Sequence, residues 1–305
     1  MDETKPSSRT ATDPKVIVIT GGTSGLGAAS AVALARSHPS SKIYIVARRA
    51  SPAASVAAEI RTVAPSAVVE FVQCDLADLR SVSAAAEHIL GREKKVDVVM
   101  ANAGIAPSVS STTEQGYELY MGTNHIGHAL LLSKLLPLLR AAGEGARVVS
   151  VTSFAFRAAL KCDPIGSTQS SRQKGWSFDL GFKQWLRYAE SKLATITYTA
   201  ELARRYPDIT FVSVSPGFVQ TDMVAKMSLC DRLVTRLLAW LVGGGMVGPE
   251  DGAANQVWAA TVDVRELSNG AMYEPVGRIC PVKSEPPLIR EKLWDWTESA
   301  VARWL

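Results

Sequence analysis

Apolar residues along the first two-thirds of the chain follow two alternating patterns. Short, nearly unbroken runs rich in β-branched residues are Lys15–Thr20 (KVIVIT), Ser41–Ala47 (SKIYIVA), Val68–Gln73 (VVEFVQ), Val96–Met100 (VDVVM), Arg147–Thr152 (RVVSVT) and Ile209–Val214 (ITFVSV). Continuous apolarity over so few residues is expected of strands buried on both faces. Between them lie longer stretches with helical character. They cover Gly25–Ser37, Pro52–Val63 with proline in its first turn, Asp78–Leu90, Thr113–Leu139 and Trp185–Tyr206. After the sixth run the pattern loosens, and helices are expected over Pro249–Val262 and Pro287–Leu305.

Strands alternating with helices make βαβ units and a parallel sheet, and right-handed crossovers place helices on both faces. The predicted fold is therefore α/β: a doubly wound Rossmann fold with a mostly parallel seven-stranded sheet, in a single domain. Residues 1–14 are polar, with two prolines, and form an expected flexible leader. Residues 15–305 form the domain. Within it, 154–183 is expected to be a substrate-loop insertion, 221–248 a substrate lid and 263–305 a C-terminal elaboration.

Composition narrows the class. A chain of 305 residues with 47% hydrophobic and 20% charged residues is an ordinary globular protein and not a disordered one. The net charge of +4 is mild and no basic run occurs, so no nucleic-acid partner is expected. Four widely and irregularly spaced cysteines, Cys74, Cys162, Cys230 and Cys280, suit reduced thiols and a cytoplasmic location. The first residues lack the apolar run of a secretion signal. The most apolar stretch, Leu237–Gly248, has 12 residues and four glycines. A membrane span needs about 20, so no transmembrane segment is expected, and a helix lying on a membrane surface is the lesser alternative.

The chemistry begins at Thr20–Gly27 (TGGTSGLG), which follows a buried strand and opens a helix. Gly21, Gly25 and Gly27, with Ser24 and Leu26 between them, allow a tight turn and close approach of a pyrophosphate. The helix N-terminus supplies unpaired N–H groups. An acidic residue near the end of the second strand would meet the ribose 2′-hydroxyl of NAD. Here that strand ends in Ala47-Arg48-Arg49, and no acidic residue occurs from Gly21 to Ala58. Arg48 suits a 2′-phosphate, so NADP (NADPH) is the expected cofactor, unless both arginines are merely solvated surface charges.

Tyr188-Ala189-Glu190-Ser191-Lys192 places a phenol and an ammonium four residues apart, on one helical face. A neighbouring ammonium favours the phenolate and lowers the phenol pKa. Taken alone, the pair is equally two amphipathic residues on a helix surface. His125 and His128 share a helical face, but two ligands without a third make no metal site, and no metal is expected.

Taken together and in order, TGGTSGLG, Asn102-Ala103-Gly104, Ser153, Tyr188-xxx-Lys192 and Pro216-Gly217 resemble the short-chain dehydrogenase/reductase family over about residues 15–220. Thr123-Asn124-His125-Ile126-Gly127-His128 and the Trp-containing tail resemble its retinol-dehydrogenase-like branch, which includes WW-domain oxidoreductases, protochlorophyllide reductases and fungal biosynthetic-cluster reductases. The resemblance implies catalytic roles for Asn124, Ser153, Tyr188 and Lys192. Tyr188 would be the proton donor, Lys192 would bind the nicotinamide ribose and depress the Tyr188 pKa, Ser153 would hold the substrate carbonyl, and Asn124 would hold a relay water. It also implies cofactor contacts from Asp75 to the adenine, Asn102 to the adenine ribose, and Val219 and Thr221 to the carboxamide. Thr152 and Ser150 are the weaker alternatives to Ser153.

Two features depart from the family pattern: Ala101 stands where an asparagine is usual, and Ser153 and Tyr188 lie unusually far apart. The intervening insertion carries Trp176, Phe178, Phe182 and Trp185. The segment after Thr221 carries Met223, Met227, Leu237, Leu238 and Trp240. These residues either surround a lipophilic substrate or pack the insertion onto the body. The function expected is an NADP(H)-dependent oxidoreductase, EC 1.1.1.-, interconverting a ketone or aldehyde and an alcohol on a lipophilic, secondary-metabolite-type small molecule. The partner expected is that substrate, with a homodimer possible. The alternatives are a carbon–carbon double-bond reductase and a catalytically silent NADPH sensor or scaffold.

Overall fold

The computed structural model describes residues 14–105, 111–160, 180–220, 240, 245–282 and 287–305. The leader, most of the 154–183 insertion, most of the 221–248 segment and Thr221 itself lie outside the described residues. Within them, the chain alternates β1 (Val16–Thr20), α1 (Gly25–Ser37), β2 (Lys42–Ala47), α2 (Ser51–Val63), β3 (Val68–Gln73), α3 (Leu79–Leu90) and β4 (Val98–Ala101). It continues through α4 (Gly127–Ala142), β5 (Arg147–Val151), α5 (Leu180–Arg205), β6 (Thr210–Val214), α6 (Ala254–Thr261), β7 (Met272–Tyr273) and α7 (Pro287–Val301).

The seven strands form one parallel sheet in the order β3-β2-β1-β4-β5-β6-β7. All five residues of β1 are buried, as are those of β5. Their side chains divide between two apolar layers. Val16, Val18, Val99 and Val148 meet α3, α4 and α5 on one face; Ile17, Ile19, Val98 and Val149 meet α1, α2 and α6 on the other. Each such aliphatic side chain contributes roughly 1.5–3 kcal/mol on burial. β1 has β2 on one side and β4 on the other, so the chain's direction of winding reverses there. A crevice opens outside the carboxyl ends of the strands at such a point.

The expected helix over 113–139 is not continuous. Residues 111–118 instead turn back on themselves, with Gly116 at φ +83° and a bridge from Thr112 to Glu118. A short helical turn (Leu119–Met121), capped by the Glu118 carboxylate, then leads into a π turn at Gly122–Ile126 before α4 begins. Close packing of two glycines accompanies this shape. A Cβ on Gly122 would sit 2.2 Å from Thr113 Cγ2, and one on Gly127 would sit 2.4 Å from the Leu76 carbonyl oxygen.

The tail is held by aromatic contacts. In α7, Trp294 stacks on Tyr198 at 5.3 Å and lies under the Arg205 guanidinium at 4.1 Å, while Thr297 meets His125 at 2.8 Å. α7 therefore rests on α5, the helix that carries Tyr188. Among the described residues no helix is long and apolar enough to cross a membrane.

Candidate active site

The crevice is a cavity of about 1090 Å³. One end is the glycine turn. Gly21 and Gly25 adopt φ +68° and +52°, which residues bearing a Cβ rarely adopt. A Cβ on Gly27 would lie 2.3 Å from the Gly21 carbonyl oxygen and 2.6 Å from Asn102 Nδ2, so the helix start presses directly on the turn. Ser24 sits at the N-cap of α1 without a side-chain cap, and the first turn carries no acidic residue. Unpaired N–H groups and positive partial charge thus face the cavity. Arg48 lies on the wall and is exposed; Asp75 lies there half-buried, its Oδ1 accepting from the Ala77 N–H at 3.0 Å.

Leu26, Asn102 and Val219 complete this wall. Asn102 is fixed at both amide atoms: Nδ2 donates to the Thr20 carbonyl at 2.9 Å, and Oδ1 accepts from Gln256 Nε2 at 3.2 Å. Gln256, in α6, also donates to Ser30 Oγ in α1 at 2.7 Å. It was not foreseen, because only the fold brings α6 beside the turn.

The other end of the cavity holds Ser153, Tyr188 and Lys192. Ser153 lies two residues beyond the end of β5 and caps the 3-10 helix Phe154–Ala159. Its hydroxyl hydrogen-bonds the Tyr188 phenol. Thr152, the alternative, donates to the Lys192 carbonyl at 2.9 Å, and Ser150 lies buried within β5; Ser153 is the hydroxyl placed against the phenol.

Asn124 stands behind the wall. Its Oδ1 accepts from the Ile105 N–H at 2.9 Å, and its Nδ2 donates to Ser191 Oγ at 3.0 Å, one helical position from Lys192. A Cβ on Gly104 would be 3.3 Å from both Asn124 Oδ1 and Lys192 Nζ. Glycine there lets the two polar side chains close on the β4 loop.

The electrostatics differ from the sequence expectation in one respect. Burial is the leading influence on Tyr188 and raises its pKa; the Ser153 hydrogen bond opposes that shift. The Lys192 ammonium lies 5.9 Å from the Tyr188 ring centroid and donates to the Val151 carbonyl at 3.0 Å. It is itself 5% exposed, and burial lowers its pKa to about 8. Burial therefore outweighs the expected attraction between ammonium and phenolate.

Between the two ends the wall is apolar. Phe154 packs on Phe218 at 5.3 Å, Trp185 meets the edge of Tyr188 at 6.0 Å, and Leu186 and Met246 adjoin them. Of the aromatic residues expected around the substrate, Trp185 is placed on this wall. Trp240 is 69% exposed, and the side chains of Trp176, Phe178 and Phe182 lie outside the description. Arg157 also reaches the wall, stacked against Phe154 at 4.3 Å and paired with Glu274.

The short chain dehydrogenase family pattern matches residues 15–164. The chain belongs to the short-chain dehydrogenase/reductase family, in its retinol-dehydrogenase-like branch, and is an oxidoreductase of that class. Human retinol dehydrogenase 12 is 36% identical over 92% of this chain and 84% of its own. A short-chain dehydrogenase/reductase of Armillaria gallica is 32% identical over 93% of this chain and 89% of its own. Among solved structures, a short chain dehydrogenase from Burkholderia cenocepacia in complex with NADP is 26% identical, with a TM-score of 0.64, covering 86% of this chain and 96% of that one.

Proposed function

We propose that this chain is an NADP(H)-dependent oxidoreductase that interconverts a ketone or aldehyde and an alcohol on a lipophilic small molecule. The observation that carries the reading is one continuous cavity. Its wall runs from an uncapped helix N-terminus and Arg48, past Asn102, to the Ser153, Tyr188 and Lys192 side chains, with apolar rings beside them. The bare glycine cradle and the absence of acidic groups from the first turn of α1 suit a pyrophosphate. The relative named for retinol supports a lipophilic substrate.

When bound, the nicotinamide supplies hydride to the carbonyl carbon or removes it from the carbinol carbon. The protein's part is positioning and proton transfer. Ser153 donates to the substrate oxygen and Tyr188 delivers the proton to it. Lys192, held at the cavity floor by the Val151 carbonyl, supplies positive charge beside the phenol and a donor for the ribose. Asn124 anchors the loop after β4 against Ser191. Gly21, Ser24, Gly25, Leu26 and Gly27 receive the pyrophosphate, Asp75 and Asn102 the adenosine end, and Val219 with Thr221 the carboxamide. The proposal includes a cytoplasmic location; the unpaired thiols of Cys74 and Cys280 suit a reducing compartment.

Cofactor choice gives the test. NADPH oxidation is followed against a panel of lipophilic ketones, aldehydes and enones, and coenzyme affinities are compared in wild type and Arg48→Asp. Wild type should turn over a ketone or aldehyde with NADPH. The variant should bind NADPH about tenfold more weakly, roughly 1.4 kcal/mol for one lost charge-assisted contact, with a much smaller loss for NADH. Equal losses for both coenzymes would remove Arg48 from the 2′-phosphate. Coenzyme binding without turnover of any panel member would favour the silent sensor.

A further inference from the structure

A second polar cluster lies behind the glycine turn, and the reaction above does not use it. Thr20, the last residue of β1, is fully buried. Its Oγ1 accepts from the N–H groups of Asn102 and Ala103, each at 2.9 Å. A hydroxyl oxygen has two lone pairs, so both are occupied and the hydroxyl can only donate further. Two acceptors lie within reach: His128 Nε2 at 2.9 Å and the Met100 carbonyl at 3.4 Å. The shorter contact is the one with normal O–H donor length.

His128 Nε2 is therefore an acceptor, and a neutral ring must carry its proton on Nδ1. Nδ1 lies 3.1 Å from the backbone carbonyl of Asn124, which can only accept. The two ends of the ring thus require the same tautomer independently. The ring is 6% exposed, and burial, with a smaller push from the charge of Lys192, lowers its pKa to about 4 against the opposing effect of the Asn124 carbonyl hydrogen bond. His125 is not a partner in this. Its ring turns to Thr297 in α7 and stacks on Trp296.

We propose that His128 is a positioning residue: a two-ended hydrogen-bond bridge that ties the Asn124 carbonyl, inside the π turn, to the strand end from which the coenzyme turn departs. The inference rests on the coenzyme-dependent reading of the cavity. Through Thr20 the bridge reaches Gly21 and the Asn102 loop. Through Asn124 it reaches Ile105 and Ser191, and so the helical turn bearing Tyr188 and Lys192. Both halves of the site are then held in one register by a side chain that touches neither coenzyme nor substrate.

Two substitutions separate the two ends. The amide nitrogen of His128→Asn can take the place of Nδ1 but does not reach Thr20. The amide of His128→Gln can take the place of Nε2 but leaves the Asn124 carbonyl. His128→Asn should keep kcat within about threefold and weaken NADPH binding about tenfold. His128→Gln should keep the NADPH Kd within about threefold and lower kcat about tenfold, the scale of one lost hydrogen bond in each case. Losses of kcat and affinity in the same proportion in both variants, tracking lost thermal stability, would reduce His128 to packing and overturn the proposal. So would no change in either.

A second measurement needs no turnover. Ring ¹⁵N–¹H correlation spectra of the full chain at pH 7, with His128 assigned among the four histidines by its loss in His128→Asn, should show an Nδ1–H ring. An Nε2–H or doubly protonated ring would overturn the bridge. A wild-type chain that binds NADPH but reduces nothing would instead count against the proposed activity, and the tautomer and Kd would still decide the role of His128.

Discussion

Tyr188→Phe is expected to lower turnover roughly a hundredfold or more while leaving NADPH affinity nearly unchanged. The ring stays, with its edge contact to Trp185, and only the hydroxyl is lost. Tyr188 is 7% exposed, so no solvent proton has ready access to the same point. Loss of a positioned general acid is worth about a hundredfold to ten-thousandfold in rate. Ser153 hydrogen-bonds the phenol but has no comparable acidity, and Lys192 is directed at the Val151 carbonyl. Ser153→Ala should lower turnover with affinity intact, and Lys192→Ala should lower both, because that ammonium serves ribose and phenol together. Single-turnover kinetics beside an NADPH titration separates the three patterns. Wild-type turnover in Tyr188→Phe would place the proton transfer elsewhere.

Gly27→Ala should abolish useful coenzyme binding through one methyl group. The atoms it would strike, the Gly21 carbonyl and Asn102 Nδ2, are themselves held. Gly21 N–H donates to the Val46 carbonyl at 2.8 Å, and Asn102 Nδ2 donates to Thr20 at 2.9 Å. Relief therefore requires α1 to move away from the turn, which opens the phosphate cradle and costs roughly 1–3 kcal/mol of overpacking. NADPH affinity should fall about a hundredfold, near 2.7 kcal/mol, with a lower melting temperature. Gly248→Ala, where an added Cβ meets nothing within 4 Å, is the control and should change neither. Calorimetric titration of the three proteins checks it. Unaltered affinity in Gly27→Ala would mean that the turn is not the phosphate site.

Much of this was legible in the sequence because the informative residues are local. Strands buried on both faces announce themselves as unbroken apolar runs, and the glycine turn is a single eight-residue segment between a strand and a helix. What was not legible depends on residues far apart in the chain. The break in the 113–139 helix accompanies close packing of Gly127 on Leu76, which lies outside that segment. β7 has two residues, too few for any periodicity, and is defined by its pairing with Ser213 and Val214. The His125/His128 spacing was visible but, with no third ligand, pointed to no site; the partner of His128 is Thr20, more than a hundred positions away. The expected depression of the Tyr188 pKa weighed charge and omitted burial, which dominates once the helix packs against β5.

The most direct measurement of the central claim is isotope transfer. NADPH carrying deuterium at nicotinamide C4, prepared separately on each face, is incubated with the enzyme and a lipophilic ketone, and the product alcohol is analysed by mass spectrometry. The account predicts that one of the two coenzymes delivers deuterium to the carbinol carbon, and that Tyr188→Phe suppresses this without loss of NADPH binding. Tight NADPH binding with no deuterium in any product from either coenzyme would contradict it.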